Sequence, residues 1–148
     1  PALDADAYIL RISSKEFPEI YANSGVFELE EGPTKPIVVT GDSSEVTANT
    51  IRIKGNIESI GSQATEVSQH GHVYSNTSEL PTIADFKTSL GSTNSLGEFE
   101  SVITDLVAGE SYYIRAYAIN QRGVSYGETK AVTTLTGVPT VITNRLGA

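Results

Sequence analysis

The chain has 148 residues, 39% of them hydrophobic and 19% charged, with a formal net charge of −8, the profile of a folded protein with a polar surface. The absence of cysteine rules out disulfides, thiol catalysis, iron–sulfur clusters and zinc ribbons. An acidic balance argues against nucleic acid, which needs clustered Lys and Arg, and no apolar run reaches the roughly 18–20 residues of a membrane helix.

The predicted elements are strands almost throughout. Tyr8 to Ser13 and Gly25 to Leu29 form a first pair carrying Tyr8, Leu10, Ile12, Val26, Phe27 and Leu29. Such a hairpin is marginal alone and demands a partner surface. Thr50 to Glu58 alternates apolar and polar residues, with Ile51, Ile53 and Ile57 on one face. Glu66 to Ser75 follows. Ile83 to Lys87 is the best helical candidate and is too short to nucleate alone. Glu98 to Leu106, Tyr112 to Ile119 and Glu128 to Leu135 complete the strand runs. Turn clusters stand between them at Ser59 to Ser62, Ser75 to Ser78, Ser92 to Gly97 and Asn120 to Gly123. This spacing predicts an all-β fold, an antiparallel sandwich.

One cluster narrows the class. Leu106-Val107-Ala108-Gly109-Glu110-Ser111-Tyr112 places a Leu before a Tyr across a Gly-bearing turn at the start of a strand. It resembles the tyrosine corner of fibronectin type III and immunoglobulin-like sandwiches, whose Tyr hydroxyl bonds back to upstream backbone. Tyr112 to Asn120, then Gly123, then Ser125-Tyr126-Gly127, resemble that family's F strand, F–G loop and G strand. His70-Gly71-His72-Val73-Tyr74-Ser75 resembles strand C of a bacterial subgroup that often reads Arg-Gly-Phe-Val-Tyr-Ser, with His70 and His72 as departures. The resemblance spans roughly Pro36 to Thr134. It implies a buried Tyr112 with Leu106 beside it, a non-catalytic module, and a place outside a bacterial cell.

The first residues repeat the last strands. Tyr8 and Arg11 stand 104 residues before Tyr112 and Arg115, Tyr21 and Gly32 stand 105 before Tyr126 and Gly137, and Pro36, Val38 and Thr40 stand 103 before Pro139, Val141 and Thr143. The spacing predicts the last two strands of a preceding module in 1–32, a complete module in 36–134, and the first strand of a following one in 138–148. With Pro1 first and no methionine, the chain is expected to be processed or cut from a tandem array.

Candidate chemistry is sparse. No Gly-x-Ser-x-Gly elbow, Gly-x-Gly-x-x-Gly or Walker-type loop occurs, so catalytic residues are none and the expected cofactors are none. His70 and His72 lie two apart on one strand face and are weak zinc candidates, with Glu66 or Asp85 as a third ligand. The preferred alternative has both rings filling aromatic positions of a sheet face. Glu28, Glu30, Glu31 and Asp42, with Asp4 and Asp6, gather near the expected junction, where carboxylates can bind calcium; solvated charge is the preferred reading.

Recognition falls to tyrosine and arginine. Tyr113 and Tyr117 are expected outward beside Arg115, with Arg122 and Tyr126 in the following loop, a set able to stack on sugars or a partner protein. The expected function is a spacer and adhesion module of an exported bacterial surface protein. Its partners would be neighbouring modules, with other copies, cell-surface proteins or glycans as further candidates, and no nucleic acid or membrane insertion. Two alternatives are an accessory module of a secreted polysaccharide-degrading enzyme and an extracellular filament subunit completed by strand exchange.

Overall fold

The computed structural model describes residues 32–137. The chain divides into two units between Gly32 and Pro33. The strands expected before Gly32 and after Gly137 lie outside the described residues, as do Asp4, Asp6, Glu28, Glu30 and Glu31.

Among the described residues eight strands follow one another: β1 (Ile37–Val46), β2 (Ile51–Ser59), β3 (Gln69–Ser75), β4 (Phe86–Lys87), β5 (Gly97–Ile103), β6 (Ser111–Asn120), β7 (Gly123–Tyr126) and β8 (Lys130–Thr133). One sheet has the order β1-β2-β5; the other runs β4-β3-β6-β7, with β8 also on β6. Every pairing is antiparallel. The fold is an all-β sandwich.

Alternation explains the core. In β2, Ile51, Ile53 and Ile57 turn inward and are at most 2% exposed. Arg52 and Lys54 turn outward, where they pair with Glu45 and Glu100, and with Glu98. From the facing sheet, Tyr112 and Ile114 complete one apolar cluster with Ile51, Ile53, Ile103 and Leu106. Ala116 and Ala118 complete a second with Val38, Ile57 and Val67. In this second cluster the large side chains of one sheet meet the small ones of the other.

Three elements depart from expectation. β1 carries no clear strand pattern because its alternation breaks in Gly41-Asp42-Ser43-Ser44, where the register with β2 slips. The segment Ile83 to Lys87 is a turn followed by β4. Thr82 N donates to Asp85 Oδ2 at 2.8 Å and Asp85 N to Thr82 O at 2.9 Å, which closes the turn locally. The expected turn of Asn120 to Gly123 is found as a tight hairpin turn, and the departure there is Tyr126, expected in the loop but paired with Tyr117 in β7.

Both ends of the described unit are tied down. On one side Ser62 N donates to Thr34 Oγ1 at 2.9 Å, and buried Asn120 donates its amide to the Thr34 and Ile60 carbonyls at 2.8 and 2.9 Å. On the other, Leu135 N donates to Thr47 O at 3.0 Å, Gly109 N to Leu135 O at 2.9 Å, and Thr134 Oγ1 to Val107 O at 2.6 Å. Asn120 ends β6, and the residues around Thr134 flank its start. At the rise of a strand, the ten residues of β6 separate these two anchor points by roughly 30 Å.

Candidate functional site

The corner comes first, because it fixes the face of β6. Val107 N donates to the Tyr112 hydroxyl at 3.0 Å, with Tyr112 only 6% exposed and Leu106 packed in the same cluster. Tyr112, Ile114, Ala116 and Ala118 therefore point into the sandwich, and Tyr113, Arg115 and Tyr117 lie on its other face.

His70 and His72 point inward too. His72 Nε2 sits 3.0 Å from Lys54 O, and a carbonyl only accepts, so this nitrogen carries the proton. Nδ1 is then the acceptor of the Ser101 hydroxyl at 2.9 Å. Ser101 accepts in turn from Thr88 Oγ1 at 2.8 Å, and Thr88 Oγ1 accepts the His72 backbone N–H at 2.9 Å. The ring joins β2, β3 and β5 with every polar atom used. Burial pushes the imidazole down to about 4, against the raising effect of the Lys54 carbonyl; His70 lowers it further. His70 Nδ1 donates to Gly91 O at 2.8 Å, and Phe99 packs edge-on against His70 and tilted against His72. Gly55 makes room for that ring, since a Cβ there would strike Phe99.

A Ser–His contact of 2.9 Å has the form of a nucleophile and its base. Here Ser101 is 2% exposed and His72 0%, so no substrate atom reaches either. Both His72 nitrogens are engaged, which removes it as a metal ligand. Of the suggested third ligands, Asp85 is held by Thr82 and Glu66 is exposed. Asp42 is exposed and pairs with Lys130 at 3.3 Å. Among the described residues, no group of three or more His, Asp or Glu is placed to hold a metal ion.

On the outer face of β6 the expected recognition set is mostly turned to internal use. Arg115 Nε donates to Pro81 O at 2.6 Å and its guanidinium lies 4.0 Å from the Tyr126 ring centroid. The Tyr126 hydroxyl accepts from Ile83 N at 3.0 Å. Together they fasten the connection between β3 and β5 over the sheet. Tyr117, expected outward, is 0% exposed. It stands opposite Gly71 and donates its hydroxyl to Thr88 O at 2.8 Å, so its ring crosses β3 at the glycine and lies under the same connection. Tyr113 is half-buried, and Arg122 is exposed at the β6–β7 turn.

A second cluster has no signature in the sequence. Tyr74 stacks on Phe86 with centroids 5.6 Å apart and meets Tyr112 edge-on at 6.4 Å. These three rings, with Asn76, Asp105 and Val107, line a cleft of about 430 Å³. Phe86 is 66% exposed and Val107 59%. Burial raises the Tyr74 pKa, and Tyr112 and then Asp105 add to it. By pattern Phe86 belongs to the short helical candidate, which hides its place beside Tyr74.

No family model matches the chain, and no curated protein matches it significantly in sequence. Solved structures do. A human fourth FNIII domain matches at 21% identity and a TM-score of 0.51, over 86% of this chain and 95% of that one. The sensor domain of the anti-sigma factor RsgI4 from Pseudobacteroides cellulosolvens matches at 14% identity and a TM-score of 0.48, over 71% and 98%. The sixth domain of human fibronectin type III domain containing protein 3 matches at 19% identity and 0.45, over 80% and 97%.

The fold is fibronectin type III-like. In this fibronectin type III-like module the two strand-C departures are interior: His72 takes an inward aromatic position and brings a polar seam between the two apolar clusters. Proteins of this fold share architecture without sharing function, so the work of the module lies in its own residues.

Proposed function

We propose that residues 33–137 act as a non-catalytic spacer in an exported bacterial surface protein, holding neighbouring modules apart and supporting adhesion. The observation that carries this reading is the pair of anchored ends. The chain is pinned at Thr34 beside one end of β6 and at Leu135 beside the other. Load applied along the chain then runs the length of the sandwich, across sheet hydrogen bonds. Pro33 and Pro36 stiffen the lead-in further. The acidic, cysteine-free composition only permits a place outside a cell; the strand-C resemblance to a bacterial subgroup is what supports that location.

The test is a module exchange in the parent protein. Replacing residues 33–137 by an unrelated sandwich of equal end-to-end span should leave attachment to its surface intact, whereas shortening the span should weaken it. Loss of attachment with the span preserved would overturn the spacer reading.

A further inference from the structure

Phe86 is an energetic oddity. A large aromatic ring 66% exposed on a two-residue edge strand contributes little to the core. It is nonetheless held in a defined orientation. Tyr74 stacks beneath it at an interplanar angle of 23°, and buried Tyr112 supports Tyr74 edge-on. Three rings thus touch in succession from buried Tyr112 through Tyr74 to exposed Phe86. Across the same cleft stands Asp105, the one charged residue among the described lining groups. Its backbone has φ +60°, a conformation that Asp and Asn adopt more readily than most, and Thr104 Oγ1 donates to its Oδ2 at 2.9 Å. The carboxylate is therefore oriented, with acceptor capacity left over.

An exposed π face beside an oriented carboxylate is complementary to a cation, and the described residues, with eleven Asp and Glu against seven Lys and Arg, carry a net charge of −4 that favours one. A guanidinium is the best match. It is flat enough to lie on the Phe86 face and presents paired donors for Asp105, while the Asn76 amide can meet the flanking peptide backbone. We propose that this cleft is a docking site for an arginine-bearing peptide segment of a partner protein, with Phe86 and Asp105 as its recognition residues. The proposal stands apart from the spacer role, since neither recognition residue, Phe86 or Asp105, takes part in the hydrogen bonds that anchor the two ends.

The experiment is an NMR titration of the ¹⁵N- and aromatic-¹³C-labelled 148-residue chain with acetyl-Gly-Gly-Arg-Gly-Gly-amide. The same peptide with Gln in place of Arg, and a neutral glucose trisaccharide, serve as parallel probes. The Arg peptide should shift the Phe86, Tyr74 and Asp105 resonances, and the Gln peptide should shift them far less. Phe86→Leu, which keeps the apolar cover, and Asp105→Asn, which keeps the backbone conformation, should each weaken binding about three- to tenfold. Glu100→Gln, on the outer face of the other sheet, should leave it unchanged. Equal response to the Gln peptide would overturn the proposal. So would shifts spread over Glu45, Glu98 and Glu100, or movement of Phe86 by the trisaccharide alone.

Discussion

His72 and Ser101 meet at 2.9 Å across the interior of the sandwich, one on β3 and the other on β5. The contact ties the two sheets through a polar bond in a region that apolar side chains would otherwise fill. With Nδ1 as the acceptor, the bond has this direction only while the imidazole is neutral. A proton on His72 would place an uncompensated charge where no carboxylate of the described residues faces it: Lys54 offers a carbonyl, Ser101 and Thr88 hydroxyls, and His70 is the other titratable group nearby.

Stability should therefore fall in mild acid. His72 titrates near 4 when folded against an ordinary value of 6.5, so between these values the unfolded chain binds the extra proton. Its contribution is complete above about pH 6.5 and is lost as pH falls through 4; about 2–3 kcal/mol of it goes between pH 7 and pH 4.5. Urea denaturation at pH 7 and pH 4.5 measures this, and His72→Phe should flatten the difference between the two curves. An unchanged difference would exclude His72 as the cause.

Tyr112→Phe removes the acceptor of the Val107 N–H while leaving the ring in place. The expected cost is about 0.5–1.5 kcal/mol, the net worth of one hydrogen bond. Chemical denaturation gives the value, and near-native tyrosine spectra for the remaining residues would show that the core itself is undisturbed.

Thr129 carries a buried hydroxyl with no hydrogen-bond partner. Thr129→Val replaces that hydroxyl by a methyl group of similar size and should raise stability by about 1 kcal/mol. A drop in the thermal midpoint would mean that the hydroxyl is satisfied in solution.

Gly61 lies at φ +97°, and a Cβ there would strike the Thr34 carbonyl and the Asn120 amide. Gly61→Ala should cost about 1–3 kcal/mol, concentrated at the lead-in. Hydrogen exchange should accelerate at Ser62 and Thr34 and stay slow along β2 and β6. Uniform acceleration would show that the anchor and the core unfold together.

The strands β2, β3, β5, β6 and β8 were legible in the sequence, because period-two alternation and turn residues are local signals. Ile51, Ile53 and Ile57 sort to one face by covalent geometry alone. The corner was legible through its resemblance to a family motif, whose residues Leu106, Gly109 and Tyr112 fall within seven consecutive positions. Tertiary structure decided the rest. Whether Tyr117 is seen by solvent depends on a connection from between β3 and β5 that folds back across it. Whether Arg115 and Tyr126 greet a partner or each other depends on Pro81 and Ile83 arriving beside them. Phe86 acquired a role only when β4 paired with β3 and laid its ring on Tyr74. Alternation assigns a side chain to a face of its own sheet; what lies against that face comes from residues remote in the chain, and no local pattern encodes their arrival.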